Sequence, residues 1–136
     1  MARVLVIDDD AAVRSVLKQI LTAAGHEVMI ATDGRTGLEA FQQNRPDAVI
    51  TDIIMPNKEG IETIKSLRTI DPKVPIVAIS GGGRSANLDF LPVALKYGAN
   101  RALAKPFTRT DLLEALKGAL SGTAAQAEPR KDAPGG

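Results

Sequence analysis

Short apolar runs rich in β-branched residues alternate along this chain with longer segments whose apolar residues recur at helical spacing. The predicted strands are 3–7 (RVLVI), 27–31 (EVMIA), 47–51 (DAVIT), 75–79 (PIVAI) and 101–104 (RALA). Four of the five are apolar almost throughout, which is typical of strands buried on both faces of a parallel sheet. A repeated strand-then-helix order predicts an α/β domain in which helices cover both faces of one parallel sheet.

The segment between the first two strands carries the clearest helical pattern. Its apolar residues fall on one stripe, which comprises Val13, Val16, Leu17, Ile20, Leu21 and Ala24. Gly25 follows and is expected to end the helix. Weaker patterns predict helices over 34–44, 60–70, about 90–97 and 109–120. The sequence therefore predicts a doubly wound domain with five parallel strands and five helices.

The composition changes after Leu120. Residues 121–136 read SGTAAQAEPRKDAPGG and lack periodic apolar residues, so they cannot bury enough surface to become ordered. We predict a folded domain over 1–120 and a disordered tail over 121–136. A frayed terminus and a linker cut short of a second domain both fit this composition, and the terminus is favoured because chain ends are commonly disordered.

Composition argues against several classes of function. The formal net charge is +1 and aromatic residues make up 3% of the chain, so we expect no direct binding of nucleic acid. The chain has no cysteine, which excludes disulfides and thiolate metal sites and is compatible with a reducing cytoplasm. Because no apolar run approaches the ~20 residues of a membrane span, we expect a cytoplasmic protein without membrane contact.

Polar side chains follow four of the predicted strands, at the edge of the sheet where ligands bind in such folds. These residues are Asp8, Asp9 and Asp10 after the first strand, Asp52 after the third, Ser80 after the fourth and Lys105 after the fifth. Like charges in contact repel by about 4 kcal/mol at the effective dielectric near a protein surface. Oxygen ligands of this kind suit Mg²⁺, and a hydroxyl and an ammonium suit a phosphoryl group. Asp10 lies just before the helical stripe and is predicted to cap the helix.

These motifs resemble the receiver domains of bacterial two-component response regulators, in particular single-domain, chemotaxis-regulator-like ones. The resemblance rests on Asp8 and Asp9, on DIIMPNKEG at 52–60, on IS at 79–80 and on KPF at 105–107, and it extends from about residue 3 to 120. It implies a flavodoxin-like sheet with the strand order 2-1-3-4-5.

The resemblance also implies a role for each residue. Asp52 would accept a phosphoryl group, while Ser80 and Lys105 would contact the phosphoryl oxygens. The implied Mg²⁺ ligands are Asp9, Asp52 and the backbone carbonyl of Ile54, with Asp8 acting through water. The Lys105–Pro106 peptide would be cis, a state that proline makes accessible.

The family implies partners as well. The donor would be a sensor histidine kinase or a histidine phosphotransfer protein, and the domain would signal through protein contacts or pass the phosphate onward. It would catalyse only its own phosphorylation and dephosphorylation, and would be a monomer or a weak, phosphorylation-dependent dimer.

Two features depart from the family pattern. The stretch between Ser80 and Gly98 is long, and Pro92 places the start of the fourth helix late, because proline is tolerated only in a first helical turn. Ala102 stands where the family usually has an aromatic side chain that responds to phosphorylation. The glycine-rich loop 81–87, together with the first turn of the fourth helix, is therefore the expected route of the signal.

Three other functions fit part of the pattern. A flavodoxin would share the architecture, but three acids without a metal would repel the flavin phosphate. A phosphatase of the haloacid dehalogenase type would use Asp8 and Asp10 as its D-x-D pair, although Asp52 would then have no role. A receiver that binds partners without phosphorylation would not need the required residue types at all five functional positions, which are Asp8, Asp9, Asp52, Ser80 and Lys105.

Overall fold

The described part of the chain alternates between strands and helices throughout its length. The structure is a computed structural model and describes residues 2–53, 59–80 and 90–121. The strands are β1 (Arg3–Ile7), β2 (Glu27–Ala31), β3 (Ala48–Asp52), β4 (Ile76–Ser80) and β5 (Arg101–Ala104). The helices are α1 (Ala11–Ala23), α2 (Gly34–Gln43), α3 (Glu59–Ile70), α4 (Phe90–Lys96) and α5 (Arg109–Leu120).

The strands form a single parallel sheet in the order β2-β1-β3-β4-β5, which confirms the predicted fold and strand order. The strand order reverses direction between β1 and β3, so the carboxyl ends of these strands open onto the crevice where ligands bind in doubly wound folds. None of the described helices has the length and apolar character needed to cross a bilayer.

Two strands lie one residue further along the chain than the sequence pattern predicts. Asp47 precedes β3, and its carboxylate accepts a hydrogen bond from the backbone N–H of Arg3 at 2.8 Å. Pro75 precedes β4, since proline has no N–H to donate to a strand neighbour. As a result, Asp52 and Ser80 are the last residues of their strands instead of the first residues after them.

The core consists of two apolar layers, one on each face of the sheet. One layer contains Leu5, Ile7, Val49, Ile76 and Ala78 of the sheet with Phe41, Ile64, Leu67 and Ala94 of α2, α3 and α4. The other contains Val4, Val6, Ile50, Val77 and Ile79 with Leu17, Leu21, Leu112 and Leu116 of α1 and α5. Central strands are buried on both faces, and this explains their nearly continuous apolar sequences.

The predicted stripe of α1 is only partly buried. Leu17 and Leu21 are buried, whereas Val16 is 48% exposed and Ala24 is also exposed. Helix α1 packs against β1 and against β2 at the edge of the sheet, so residues at the border of the stripe face solvent. The apolar stripe of α1 is therefore wider than the part of it that is buried.

Caps fix where the first two helices begin. Asp10 is the N-cap of α1, as predicted, and its carboxylate accepts hydrogen bonds from the N–H groups of Ala12 and Val13 at 2.8 and 3.4 Å. Asp33 caps α2 in a reciprocal arrangement with Thr36.

The described span of the fourth helix, Phe90–Lys96, includes Pro92, while the residues before Phe90 lie outside the described range, so its late start stays a prediction. Three other predictions fall outside the described residues. They concern the glycine-rich loop 81–87, the backbone carbonyl of Ile54 and the disordered tail, of which only Ser121 is described.

Candidate functional site

The register of the sheet brings four of the predicted site residues to one level at its carboxyl edge. Ile7 pairs with Thr51, so Asp8 follows β1 beside Asp52 at the end of β3. Ser80 pairs with Ala104, so Lys105 follows β5 beside Ser80 at the end of β4. The backbone N–H of Lys105 donates to the carbonyl of Ser80 at 2.9 Å and continues the ladder by one residue.

Three carboxylates converge at this edge. Asp8, Asp9 and Asp52 each offer an oxygen, and these atoms all lie within 4.8 Å of one another. Asp8 is 1% exposed and Asp52 is 5% exposed, whereas Asp9 is open to solvent. Two of the acids are thus held in a low-dielectric environment, where their mutual repulsion is stronger than it would be in water.

Lys105 supplies positive charge to the two buried acids. Its Nζ lies 3.7 Å from Oδ2 of Asp8 and 3.8 Å from Oδ2 of Asp52. The peptide between Lys105 and Pro106 is cis, as the resemblance implied. Ser80 is 3% exposed and ends the neighbouring strand. One ammonium faces more than one carboxylate, so the site retains a negative charge.

The two oxygens of Asp8 have different environments. Oδ1 accepts a hydrogen bond from the N–H of Asp10 at 2.8 Å, while Oδ2 accepts none from any of the described residues. Burial raises the pKa of the Asp8 carboxyl above its ordinary value, although the Asp10 N–H and Lys105 both act to lower it. A buried acceptor with an unused lone pair beside two further carboxylates is what a cation ligand requires.

The donor set fits Mg²⁺. The ion prefers oxygen ligands and is commonly held by one or two carboxylates together with water and phosphate oxygens. Asp8, Asp9 and Asp52 can provide such ligands, and the excess of negative charge over Lys105 favours a cation. The backbone carbonyl predicted as a further ligand belongs to Ile54, which lies outside the described residues.

Reasoning from the sequence missed Arg14, and it gave Gly60 only a place in the motif at 52–60. Arg14 donates from Nη1 to the backbone carbonyl of Asp8 at 2.9 Å. Gly60 lies so close to the end of β3 that an added Cβ would meet the carbonyl oxygen of Asp52 at 2.6 Å. A signal existed for Arg14, because a cation near the start of a helix opposes the helix dipole and needs a compensating partner.

The parallel sheet and the acid–lysine cluster at its carboxyl edge agree with the receiver domain that the sequence motifs resemble. The chain belongs to the response regulator receiver domain family, whose model matches residues 4–117. It is thus a receiver domain of two-component signalling. Membership of this family excludes the flavodoxin and haloacid dehalogenase alternatives.

Individual relatives support the same assignment. The chain is 42% identical to the chemotaxis protein CheY of Thermotoga maritima over 115 residues, which cover 84% of this chain and 93% of that protein. It is 37% identical to the transcriptional regulatory protein PrrA of Mycobacterium tuberculosis, covering 87% of this chain and 49% of that protein. The chain therefore spans about half the length of this regulator.

The fold also matches solved structures. A response regulator receiver domain protein from Clostridium thermocellum superimposes with a TM-score of 0.81 at 34% identity, covering 89% of this chain and 95% of that one. The receiver domain of NtrX from Brucella abortus superimposes with the same TM-score of 0.81 at 30% identity, covering 88% of this chain and 99% of that one.

Proposed function

We propose that this receiver takes a phosphoryl group onto the carboxylate of Asp52 in the presence of Mg²⁺. The donor is the phosphohistidine of a sensor histidine kinase or of a histidine phosphotransfer protein. The observation that carries the proposal is the contact of one ammonium, Lys105 Nζ, with the buried carboxylates of both Asp8 and Asp52. Because this one ammonium is shared by two carboxylates, a further cation would stabilise them. Asp52 lies at the end of β3, which opens onto the crevice of the fold.

Phosphoryl transfer asks mainly for positioning and charge neutralisation. An oxygen of Asp52 attacks the phosphorus, the new O–P bond forms as the P–N bond to the donor imidazole breaks, and the electron pair of that bond returns to the imidazole. The ammonium of Lys105 offsets charge on the phosphoryl oxygens, and the hydroxyl of Ser80 donates a hydrogen bond to one of them. Asp52 is the acceptor in this proposal, and Ser80 and Lys105 assist it.

The proposed ligands of Mg²⁺ are Asp9, Asp52 and the backbone carbonyl of Ile54, with Asp8 acting through water. When bound, the ion supplies the positive charge that three carboxylates and a phosphoryl group together require. Burial raises the pKa of the Asp8 carboxyl and so disfavours its ionised form. A cation bound nearby would favour the ionised form and offset this effect of burial.

The output is proposed to be a contact with another protein or onward relay of the phosphate, without direct binding of nucleic acid. The proposal also covers a cytoplasmic location and a monomer or weak, phosphorylation-dependent dimer. Its only catalysis is its own phosphorylation and dephosphorylation. Ala102 is half-buried in β5 and has no side-chain rotamer that could change on phosphorylation. The predicted route of the signal through loop 81–87 lies outside the described residues and stays a prediction.

The test is phosphorylation of the full chain by acetyl phosphate, followed by intact-protein mass spectrometry. We expect one phosphoryl group on the wild type with Mg²⁺ and none after chelation. Asp52→Asn should remain unmodified. The matched control is Asp47→Asn, because Asp47 lies at the opposite end of β3 and this variant should be phosphorylated like the wild type.

Two results would contradict the proposal. Phosphorylation of Asp52→Asn to the level of the wild type would mean that another residue accepts the group. A wild type that stays unmodified with acetyl phosphate and with a phosphohistidine donor would indicate a receiver that binds its partners without phosphorylation.

A further inference from the structure

Arg14 contacts the backbone of the acidic cluster and none of the carboxylates described there. Its Nη1 donates to the carbonyl oxygen of Asp8 at 2.9 Å, and its side chain is half-buried. Lys105, in contrast, approaches the carboxylates of Asp8 and Asp52 directly. The guanidinium therefore brings positive charge to the cluster and leaves the carboxylate oxygens available to a metal ion.

The carbonyl that Arg14 holds belongs to the peptide between Asp8 and Asp9. A peptide group is planar, so fixing the direction of its C=O fixes the plane from which both residues project. Asp8 and Asp9 are two of the three acids whose oxygens converge within 4.8 Å. One hydrogen bond from Arg14 thus constrains the orientation of two of these acids.

The same turn is tied to α1 by two further contacts. The N–H of Asp10 donates to Oδ1 of Asp8 at 2.8 Å, and the N–H of Arg14 donates to the carbonyl of Asp10 at 3.0 Å. Three hydrogen bonds therefore link Asp8, Asp10 and Arg14 to one another and hold the turn after β1 against the start of α1. Substituting Arg14 removes one of these links without altering a carboxylate, because the other two are made by backbone groups and by the Asp8 carboxylate itself.

Placing an arginine here has a cost. A cation in the first turns of a helix opposes the helix dipole, and an ordered arginine loses side-chain entropy. The hydrogen bond to Asp8 and the field of the three carboxylates can offset both costs.

We propose that Arg14 is a positioning residue for the cation site, which orients Asp8 and Asp9 through their shared peptide group. The proposal rests on the proposed binding of Mg²⁺. It concerns the affinity of the site for the ion and assigns Arg14 no contact with the phosphoryl group.

The experiment is a Mg²⁺ titration of the full chain without a phosphodonor, followed by the amide NMR signals of residues 8–10. Removing a contact that orients metal ligands commonly weakens metal binding 10–100-fold, so we expect Arg14→Met to raise the Kd about 10-fold. Arg14→Lys keeps the charge without the planar fork and should lie between the wild type and Arg14→Met.

Lys18→Met is the matched control. Lys18 is exposed on the same helix, and its removal takes away the same charge. Because solvent screens an exposed charge, this variant should change the Kd by less than about twofold. An increase as large as that of Arg14→Met would show that net charge, and not the contact with Asp8, sets the affinity, and would overturn the proposal.

A second readout separates positioning from a structural role. At saturating Mg²⁺, phosphorylation of Arg14→Met by acetyl phosphate should return to near the wild-type rate, while the Mg²⁺ concentration for half-maximal rate stays raised. A folded Arg14→Met with the wild-type Kd would overturn the inference. If this variant does not fold, Arg14→Gln, whose side chain is too short to hold the same position, decides the question by the same criterion.

Failure of the proposed function would look different. A wild type that shows no Mg²⁺-dependent change in these signals would overturn the proposed metal site before any variant is compared, and the inference with it. If the wild type binds Mg²⁺ and Arg14→Met binds it with the same Kd, only the inference about Arg14 is overturned, and the proposed metal site stands.

Discussion

At the scale of single residues, the acidic cluster contains a buried carboxylate, Asp8, whose burial costs free energy. Asp8 is buried, one of its oxygens receives no hydrogen bond from the described residues, and its pKa is raised by burial. Lys105 reduces this cost but is shared with Asp52. Buried charges are normally paired and fully hydrogen-bonded, so this imbalance is better explained by a ligand than by stability.

Asp33 gives a prediction about pH. Hydrogen bonds from the backbone and side chain of Thr36 lower the pKa of the Asp33 carboxyl in the folded protein. A lowered folded pKa means stabilisation that is fully present above the unfolded pKa, about 3.9, and is lost as pH falls through the folded value. Asparagine caps helices as well but does not titrate in this range, so Asp33→Asn should lack this contribution.

The measurement is the free energy of unfolding by urea across the acid range. Relative to Asp33→Asn, the wild type should be most stable above the ordinary aspartate pKa and should lose that advantage at lower pH. A difference between the two proteins that stays constant with pH would contradict the prediction.

At the scale of elements, the placement of α3 against β3 depends on Gly60. A Cβ at this position would meet the carbonyl oxygen of Asp52 at 2.6 Å and would also collide with Cα of Ile53. Since these are backbone atoms, they cannot move aside without displacing the end of the strand. We expect Gly60→Ala to lower the free energy of unfolding by about 2 kcal/mol, as overpacking in a core does.

Gly37→Ala is the matched comparison. There the added Cβ would meet the side-chain atom Cδ1 of Ile7 at 2.5 Å, and the end of a flexible side chain can move. Alanine also gains about 1 kcal/mol of helix propensity over glycine, so the net loss should be smaller than that of Gly60→Ala. Thermal and urea denaturation of both variants would check this, and a larger loss for Gly37→Ala would refute it.

Arg68 joins three elements at the opposite end of the sheet. Its guanidinium donates to the carbonyls of Gly98 and Asp71 at 3.0 and 3.1 Å and to Oδ1 of Asn100 at 2.8 Å. The same Asn100 oxygen accepts the N–H of Ile76, the first residue of β4. Burial lowers the pKa of Arg68, but a guanidinium in a protein remains charged. Its hydrogen bonds connect the end of α3 with the turn after α4 and, through Asn100, with the start of β4.

We expect Arg68→Met to lower the free energy of unfolding by about 3 kcal/mol, because hydrogen bonds to a charged group are each worth about 1.5–3 kcal/mol and their partly buried acceptors would lose a partner. Arg35→Met is the control, since Arg35 is exposed and its ion pair with the exposed Glu39 is worth about 0.5 kcal/mol. Equal losses for the two variants in urea denaturation would show that the network around Arg68 adds nothing.

At the scale of the whole molecule, the proposed metal site links local charge to global stability. An ion that binds only the folded state stabilises it by about 2.7 kcal/mol when present at 100 times its Kd. We expect Mg²⁺ to raise the free energy of unfolding of the wild type in this way, and Asp9→Ala to abolish the increase. Calorimetric unfolding with and without the ion would measure it.

Asp10→Ala distinguishes a ligand from a cap in the same experiment. Asp10 accepts hydrogen bonds from the first turn of α1, so its removal should cost about 1 kcal/mol of stability in the absence of the ion. Most of the increase with Mg²⁺ should remain. If Asp10→Ala loses the increase and Asp9→Ala keeps it, the assignment of ligand and cap is reversed.

Much of this fold is determined by the sequence itself, because its signals are local. Strand and helix periods located every element to within about one or two residues, and cap chemistry identified Asp10. The polar residues that follow apolar strands indicated the candidate site, because the carboxyl ends of parallel strands meet at one edge of the sheet.

Only the tertiary structure decided what depends on distant parts of the chain. It placed Asp52 and Ser80 at the ends of their strands, and it left Val16 exposed at the border of the apolar stripe of α1. The contacts of Arg14 with Asp8 and of Arg68 with Gly98 arise from packing and side-chain reach. Periodicity records which face of an element is apolar, but not which neighbour that face or its polar border meets, and this is why such contacts could not be read from the sequence.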